Sequence, residues 1–366
     1  MTSYWLDEPF EPLAQNRLDG SVDVAVVGGG VTGCAAALVA ARGGLRVRLH
    51  EAREISSGAS GRSGGFALRG GAMLYDAARR QLGAERAKLY WQLTERALDH
   101  LEELAGDALR RSGSLRVAVD EAEREELENE YAALREDGFA ADLVDAPFLG
   151  GIRHPTGGSL RPARWVRRLA GLAADAGADL REQSRVESVD ELDAEHVIIA
   201  TDGYTQGLLS RLDEVVVPVR GQVIATEPLS RRLFDCPHYS RHGFDYWQQT
   251  DDDRLILGGR RDTQADHEFN AEETITEPIQ RELETFAAEL IGERPKITHR
   301  WAGIFGHTLD LMPLAGQVLG HDGVWVAAGY SGHGNVLGLA CGELVAQAIL
   351  GRPAPELELF DPARLL

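Results

Sequence analysis

Residues Gly28-Gly29-Gly30-Val31-Thr32-Gly33 have the types and spacing that bind a dinucleotide. They join an apolar run, 22–27, that predicts a buried strand to an alanine-rich run, 32–42, that predicts a helix. In a G-x-G-x-x-G turn the first glycine allows the tight turn, the second lets backbone N–H groups approach a pyrophosphate, and the third permits close helix-strand packing. Glu51 ends the next predicted strand, where a carboxylate can accept ribose hydroxyls. This pattern predicts a dinucleotide site without separating NAD from FAD.

Two further glycine clusters indicate a longer cofactor. Residues 58–65, Gly-Ala-Ser-Gly-Arg-Ser-Gly-Gly, offer bare N–H groups, hydroxyls and a guanidinium, which suit phosphate and ribityl oxygens. Residues 329–334, Gly-Tyr-Ser-Gly-His-Gly, open a predicted helix whose N-terminus would stabilise negative charge on a flavin ring. The three clusters together favour a flavin dinucleotide.

The elements that must position these clusters alternate between strand and helix at the start, middle and end of the chain, with β-rich material between. The predicted strands are 22–27, 45–49, 114–120, 180–189, 196–201, 215–226, 244–250, 254–261, 296–305 and 323–328. The predicted helices are 32–42, 84–104, 121–136, 163–176, 277–291 and 335–350.

This order predicts an α/β fold with a Rossmann-like FAD-binding domain in discontinuous segments. A second domain, a mainly antiparallel β-sheet with helices, is predicted to hold the substrate. The length of 366 residues is consistent with about two domains. We assign 1–80, 150–214 and 306–366 to the FAD-binding domain, and 81–149 and 215–305 to the substrate domain.

The composition excludes several classes of partner. With 58 acidic and 38 basic residues the net charge is −20, which opposes binding to nucleic acid or to an anionic membrane. No apolar run has the roughly 18 residues of a membrane-spanning helix, and the chain does not open with a secretory signal, so we expect a cytoplasmic protein. The cysteines, Cys34, Cys236 and Cys341, form no CxxC pair, so no disulfide framework or metal site is predicted.

Several motifs, taken together, resemble one family. Besides the glycine clusters, the chain contains Pro218-Val219-Arg220-Gly221-Gln222, Leu257-Gly258-Gly259, Trp301-Ala302-Gly303 and Thr308-Leu309-Asp310-Leu311-Met312-Pro313. Over nearly its whole length it resembles the D-amino acid oxidase superfamily of FAD-dependent oxidoreductases, which includes glycine and sarcosine oxidases and γ-glutamylputrescine oxidase. The segments Ser3-Tyr4-Trp5-Leu6-Asp7 and Tyr246-Trp247 are most similar to the γ-glutamylputrescine oxidase branch.

The resemblance implies a β-sheet domain over the flavin and hydride transfer from the substrate to flavin N5. It also implies non-covalent FAD, because the cysteine that attaches flavin in some sarcosine oxidases is absent near 303–305, as is their active-site lysine before Gly258. The cofactor-binding residues predicted from the motifs are Gly28, Gly30, Val31, Thr32, Gly33, Glu51, Ala52, Arg53, Ser60, Gly61, Arg62, Ser63, Gly64, Gly65, Val186, Gly303, Gly329, Gly332, His333, Gly334 and Asn335.

The candidates for the substrate pocket come from the segments expected to lie over the flavin. Each also has a plainer interpretation, since histidines are more often hydrogen-bonded than catalytic and aromatic residues mostly belong to the core. Successive strand residues point to opposite faces, so at most one of Arg260 and Arg261 should reach the pocket. The pocket residues that we predict are His307, Tyr330, Arg261 and Tyr246.

Gly61-Arg62-Ser63-Gly64-Gly65 also matches the hydrolase motif G-x-S-x-G. That nucleophile must lie on a turn from a strand to a helix. No strand is predicted before Ser63, so the sequence disfavours a serine hydrolase.

We predict an FAD-dependent oxidase or dehydrogenase that oxidises the C–N bond of an amine or amino acid, with hydrolysis of the imine and reoxidation by oxygen or another acceptor. A hydroxy acid or polyol is an alternative substrate, with His307 as the base, and a structural FAD without turnover is a third hypothesis. An amino acid would need a carboxylate clamp, for which Arg261 is the candidate and Arg260 and Arg69 are rivals. The resemblance to the γ-glutamylputrescine oxidase branch and the negative net charge instead favour an alkyl amine, so we predict that primary or secondary alkyl amines reduce the flavin faster than small α-amino acids do. The sequence leaves the oligomeric state open.

Overall fold

The computed structural model describes residues 2–13 and 16–366; positions 1, 14 and 15, which the predicted segment 1–80 includes, lie outside the described residues. The strands of the described residues, numbered β1 to β17 in chain order, are Val22–Val27, Val47–His50, Phe66–Ala67, Leu109–Arg110, Ser114–Val117, Asp142–Val144, Gly151–His154, Gly158–Leu160, Asp179–Arg181, Ala194–Ile199, Val217–Pro228, His238–Ser240, Asp245–Gln249, Arg254–Gly259, Ile297–His307, Leu314–Gln317 and Val324–Ala328. The α-helices, numbered α1 to α8, are Val31–Arg42, Tyr75–Leu82, Ala84–Ala105, Glu121–Glu136, Pro162–Asp175, Ala265–Glu268, Glu277–Ile291 and Gly334–Ile349.

A six-stranded sheet has the order β16-β17-β10-β1-β2-β9. Its pairs are parallel except for β16, which runs antiparallel to β17. Helix α1 packs against it, and every residue of β1 except Asp23 is buried, as a parallel strand covered on both faces requires. The prediction of an α/β fold with a Rossmann-like sheet is confirmed.

The strand predicted at 180–189 is wrong beyond Arg181. The chain leaves the sheet at Gln183, whose φ of 52° is in the left-handed region and cannot continue a strand. The segment then lies along the loop that follows β2, where the Ser184 N–H donates to the Glu51 carbonyl at 2.8 Å. This turn brings Val186 to the end of β2 and not into the sheet.

An eight-stranded sheet has the order β15-β11-β14-β13-β12-β5-β7-β6 and is antiparallel except between β12 and β5. Helix α7 packs Ile279 and Leu283 onto it. The predicted strand 254–261 ends early, at Gly259, because Arg260 has a left-handed φ of 60°. The prediction of a mainly antiparallel sheet is confirmed.

Helices α1 and α8 each follow one of the glycine clusters, and they pack closely against each other. A Cβ at Gly342 would lie 2.4 Å from the Thr32 carbonyl oxygen, and a Cβ at Gly338 would lie 2.7 Å from the Thr32 hydroxyl. Only glycine permits this approach, which sets the N-termini of the two helices side by side.

Candidate functional site

One cavity of about 1250 Å³ lies at the carboxyl ends of β1, β2 and β10 and extends to the face of the eight-stranded sheet. This is the edge of a parallel sheet at which ligands bind in α/β folds. The volume exceeds the roughly 300–1,000 Å³ of a pocket for one small ligand, so the cavity has room for a dinucleotide and a substrate.

The first glycine cluster has the geometry that its sequence predicts. Gly28 has φ 110°, and a Cβ there would meet the Ala200 carbonyl oxygen at 2.6 Å. Gly30 precedes α1, and a Cβ there would lie 2.8 Å from the Ser60 hydroxyl oxygen. That hydroxyl accepts the Val31 N–H at 3.0 Å. The helix N-terminus therefore opens into the cavity with no bulky side chain in front of it.

Glu51 is held at the end of β2 by two backbone donors. Its Oε2 accepts the Gly29 N–H at 2.8 Å, and its Oε1 accepts the Arg53 N–H at 2.8 Å. Each carboxylate oxygen keeps lone pairs for further donors. The carboxylate is thus fixed beside the cavity and can accept hydroxyl groups of a bound ribose.

Most of the predicted cofactor residues line this cavity. Four glycines do not, and each is explained by a close approach of other backbone or by a positive φ. A Cβ at Gly33 would lie 1.9 Å from the Gly28 carbonyl oxygen, and one at Gly61 would lie 2.2 Å from the Ser56 carbonyl oxygen. Gly65 and Gly329 have positive φ angles, 77° and 78°. The predicted residues that line the cavity are Gly28, Gly30, Val31, Thr32, Glu51, Ala52, Arg53, Ser60, Arg62, Ser63, Gly64, Val186, Gly303, Gly332, His333, Gly334 and Asn335.

Glu273 and Tyr204, which the sequence analysis missed, line the cavity together with the predicted residues Arg53 and Arg62. The Glu273 carboxylate accepts both terminal nitrogens of Arg53, at 2.8 and 2.9 Å, and lies 3.3 Å from Arg62 Nη2. The Tyr204 hydroxyl also donates to Glu273. Burial opposes the charged carboxylate, but the hydrogen bonds from Arg53 and Tyr204 outweigh it and hold the pKa of Glu273 below its usual value. Tyr204 could have been found because it soon follows β10 at the sheet edge; Glu273 has no comparable sequence signal.

Asp202, which the sequence analysis also missed, connects the segment after β10 to β15 and to the loop before α8. Its Oδ2 accepts the Gly306 N–H and its Oδ1 accepts the Gly329 N–H, each at 2.8 Å. Burial raises the pKa of Asp202, against the effect of these backbone donors. One carboxylate therefore fixes β15 next to His307 and the loop before α8 in one arrangement.

Tyr330 differs from the other three residues that were predicted for the substrate pocket. Its hydroxyl lies 2.9 Å from the Thr32 hydroxyl and is buried. Burial raises the pKa of Tyr330 well above its usual value. The phenol therefore links the starts of α1 and α8, and its oxygen does not face the substrate end of the cavity.

The other three pocket candidates, Arg261, Tyr246 and His307, lie together where the cavity meets the eight-stranded sheet. Arg261 stacks on the Phe244 ring, 4.3 Å from its centroid, and donates to the Gly243 carbonyl at 3.2 Å. Among the described residues it makes no ion pair with a carboxylate, and burial lowers its pKa. Burial raises the pKa of Tyr246, which lines the same end, to about 12.

The rival arginines lie elsewhere, and for Arg260 the cause is its left-handed φ after the end of β14 and not strand alternation. Arg260 lies 3.0 Å from Asp245 and stacks on Phe286 on the opposite face. Arg69 is paired with Glu95 and His154 and does not line the cavity. Arg261 is therefore the candidate that faces the cavity.

Two histidines, His333 and His307, and a further arginine, Arg116, also line the cavity. Burial, followed by the charges of Arg116 and Arg261, lowers the pKa of His333 to about 4. Burial and Arg261 also lower the pKa of His307. Arg116, which the sequence analysis missed, stacks on Tyr239 and pairs with Glu130 at 2.9 Å. Both imidazoles are neutral at pH 7 and can accept a proton or a hydrogen bond.

In the part of the chain that the structure describes, no helix combines the length and apolar character needed to cross a membrane. Within those same residues, no group of three or more His, Cys, Asp or Glu side chains is arranged to hold a metal ion.

The chain is similar in sequence and in fold to several known proteins. Residues 23–348 match the family described as FAD dependent oxidoreductase, DAO. The chain is 30% identical to a probable oxidoreductase OrdL of Rhizobium meliloti (strain 1021), over 94% of this chain and 86% of that protein. It is 28% identical to γ-glutamylputrescine oxidoreductase of Escherichia coli (strain K12), over 96% of this chain and 88% of that protein. The fold is similar to that of glycine oxidase from Geobacillus kaustophilus, with a TM-score of 0.76, 23% identity and coverage of 94% and 98% of the two chains.

Proposed function

Because the chain belongs to the DAO family of FAD-dependent oxidoreductases, we propose that it oxidises the C–N bond of a small amine that carries a carboxylate. FAD is its cofactor, as the sequence predicted. The observation that carries the substrate proposal is Arg261, a cation without a carboxylate partner among the described residues, at the end of the cavity away from the dinucleotide turn. Arg261 is only half-buried, but its guanidinium borders the cavity without an ion pair in the described part of the chain to offset its partial loss of hydration, which favours an anionic ligand.

The residues around the cavity fit FAD. The turn at Gly28 and Gly30 leaves the start of α1 open for a pyrophosphate, and Glu51 has acceptors for ribose hydroxyls. The Ser63 and Gly64 N–H groups have no protein acceptor among the described residues and border the cavity. No cysteine lines the cavity within the described residues, which supports non-covalent binding.

When bound, FAD would supply the two-electron oxidation of the bond between the substrate nitrogen and its neighbouring carbon, and water would hydrolyse the resulting imine. Arg261 binds the substrate carboxylate, and its stacking on Phe244 keeps the guanidinium in one orientation. Tyr246 contributes a neutral hydroxyl because its raised pKa keeps it protonated. The fixed positions of these groups orient the substrate for reaction.

His307 gives a second candidate function some support. Its lowered pKa keeps the imidazole neutral at pH 7, so it could take the hydroxyl proton of a hydroxy acid. The same imidazole would accept a proton from a substrate ammonium under the first proposal. The two functions therefore differ in substrate and not in the residues present.

We also propose the two-domain division, with its boundaries refined to follow the packing. Helix α3, predicted in the substrate domain, packs against α5 and α8, and β15 continues to His307, past the boundary predicted at 305. Strand β7, Gly151–His154, pairs with β5 and β6 of the eight-stranded sheet. This pairing supports moving the boundary predicted at residue 150 to a position after His154.

Anaerobic bleaching of the flavin tests the function. The holoenzyme would be mixed with carboxylate-bearing amines, plain alkyl amines and hydroxy acids, and its visible absorption followed. Faster bleaching by the carboxylate-bearing amines than by the plain alkyl amines supports the first proposal, and the reverse order contradicts it. Bleaching by hydroxy acids alone supports the second. A flavin that none of these classes reduces would support a structural FAD, and flavin remaining with acid-precipitated protein would contradict non-covalent binding.

A further inference from the structure

The carbonyl groups of residues 61–65 are all held from outside the cavity. Side chains from three separate parts of the chain each donate a hydrogen bond to one or two of them. The bonds are Ser3 Oγ to Gly61 O at 2.6 Å, Trp301 Nε1 to Arg62 O at 2.8 Å, Trp5 Nε1 to Ser63 O at 2.8 Å, and Gln248 Nε2 to Gly64 O at 2.6 Å and to Gly65 O at 2.7 Å.

The donors are buried. Ser3, Trp5, Trp301 and Gln248 are each at most 2% exposed, so bulk water does not compete for their hydrogen bonds. Trp301 lies on β15 and Gln248 on β13, whereas Ser3 and Trp5 belong to a turn closed by the Leu6 N–H donating to the Ser3 carbonyl.

The direction of these carbonyls determines the direction of the next N–H groups. In a planar trans peptide the C=O and the following N–H point in opposite directions. The hydrogen bond from Trp301 to Arg62 O therefore turns the Ser63 N–H away from Trp301. The bond from Trp5 to Ser63 O likewise turns the Gly64 N–H away from Trp5. Ser63 and Gly64 line the cavity, and their N–H groups have no protein acceptor among the described residues.

We propose that the turn at residues 3–6 is part of the cofactor site, with Trp5 a positioning residue that directs the Gly64 N–H at FAD. This inference rests on the proposed function, and the turn lies outside the residues 23–348 that match the family. Trp301 performs the same task for the Ser63 N–H. Ser3 fixes the start of the same loop through Gly61.

The test is the rate at which FAD leaves the holoenzyme after dilution, followed by the rise in flavin fluorescence. Trp5→Phe keeps the buried ring but removes the indole N–H, and we expect FAD release to be about tenfold faster, the effect of losing one hydrogen bond in the bound state. The visible absorption of the bound flavin should also shift, because a hydrogen-bond donor near it has moved.

Trp165→Phe is the matched control. Trp165 is fully buried on α5, and its Nε1 has no hydrogen-bond partner among the described residues. The substitution therefore removes a similar volume without freeing a carbonyl of residues 61–65. We expect the FAD release rate of Trp165→Phe to stay within twofold of wild type. Its flavin spectrum should not shift.

Ser3→Ala extends the test in case Trp5→Phe does not fold, and should speed FAD release about threefold through the same loop. Equal release rates in wild type, Trp5→Phe and Ser3→Ala, or equal acceleration in Trp165→Phe, would overturn the inference while leaving the proposed function intact. A wild-type protein that contains no FAD would overturn the proposed function and this inference together.

Discussion

The hydroxyl groups of Thr32 and Tyr330 lie 2.9 Å apart and connect the first turn of α1 to the loop before α8. Both helices begin at glycine-rich turns that border the same cavity. The hydrogen bond therefore fixes two helix N-termini relative to one another, although they are nearly 300 residues apart in sequence. Tyr330 thereby has a structural explanation that the sequence could not separate from a substrate contact.

Tyr330→Phe should lower stability without removing catalysis. The substitution keeps the ring and deletes one buried hydrogen bond, which costs about 1 kcal/mol. We expect a lower Tm of the holoenzyme and a kcat within a few-fold of wild type. A kcat reduced by two orders of magnitude at unchanged Tm would instead return Tyr330 to the substrate pocket.

Glu51→Gln should weaken FAD binding while the fold is retained. The carboxylate accepts two backbone N–H groups and is predicted to accept ribose hydroxyls, and charge-assisted hydrogen bonds of this kind are worth roughly 1.5–3 kcal/mol. The Kd for FAD should rise roughly 10- to 150-fold. Glu54→Gln, at an exposed position three residues later, is the control and should leave the Kd unchanged. An unaltered Kd in Glu51→Gln would remove the ribose assignment.

The pKa of His333 predicts how stability depends on pH. Burial and the nearby arginines lower it to about 4, against about 6.5 in an unfolded chain. Between these values the unfolded chain binds a proton that the folded protein does not, so stability falls as the pH is lowered from 6.5 towards 4. The contribution that is lost is roughly 1–3 kcal/mol.

His333→Gln removes this titration. The difference in unfolding free energy between pH 6.5 and pH 4 should be smaller in His333→Gln than in wild type. His267→Gln changes an exposed histidine on α6 and should follow the wild-type curve. Parallel curves for wild type and His333→Gln would show that His333 is protonated as easily in the folded protein as in the unfolded chain.

The sequence predicted the parts of the site that local patterns determine. The turn at Gly28–Gly33 and the carboxylate of Glu51 follow from strand, helix and spacing alone. Arg260 and Arg261 do lie in different surroundings, but not through the strand alternation that was predicted, because β14 ends at Gly259 and Arg260 has a left-handed φ of 60°. Asp202, Arg116 and Glu273 escaped prediction because each acts through partners distant in sequence, and only folding brings those partners together. The turn at Gln183 was missed for a related reason, since the contacts of that segment with the loop after β2 outweigh its strand-like sequence.

The central claim is that Arg261 binds a carboxylate of an amine substrate. The most direct measurement is the rate constant of anaerobic flavin reduction for two matched amines, an N-alkylglycine and the same N-alkyl amine without its carboxylate. These rates would be compared in wild type, in Arg261→Gln and in the control Arg80→Gln, which alters an arginine that borders the same cavity but is paired with Asp76. We predict that wild type and Arg80→Gln prefer the N-alkylglycine and that Arg261→Gln lowers the second-order rate constant of flavin reduction by it roughly 10- to 150-fold, with only a few-fold change for the plain amine. Faster reduction by the plain amine, with both rates nearly unchanged in Arg261→Gln, would contradict the claim.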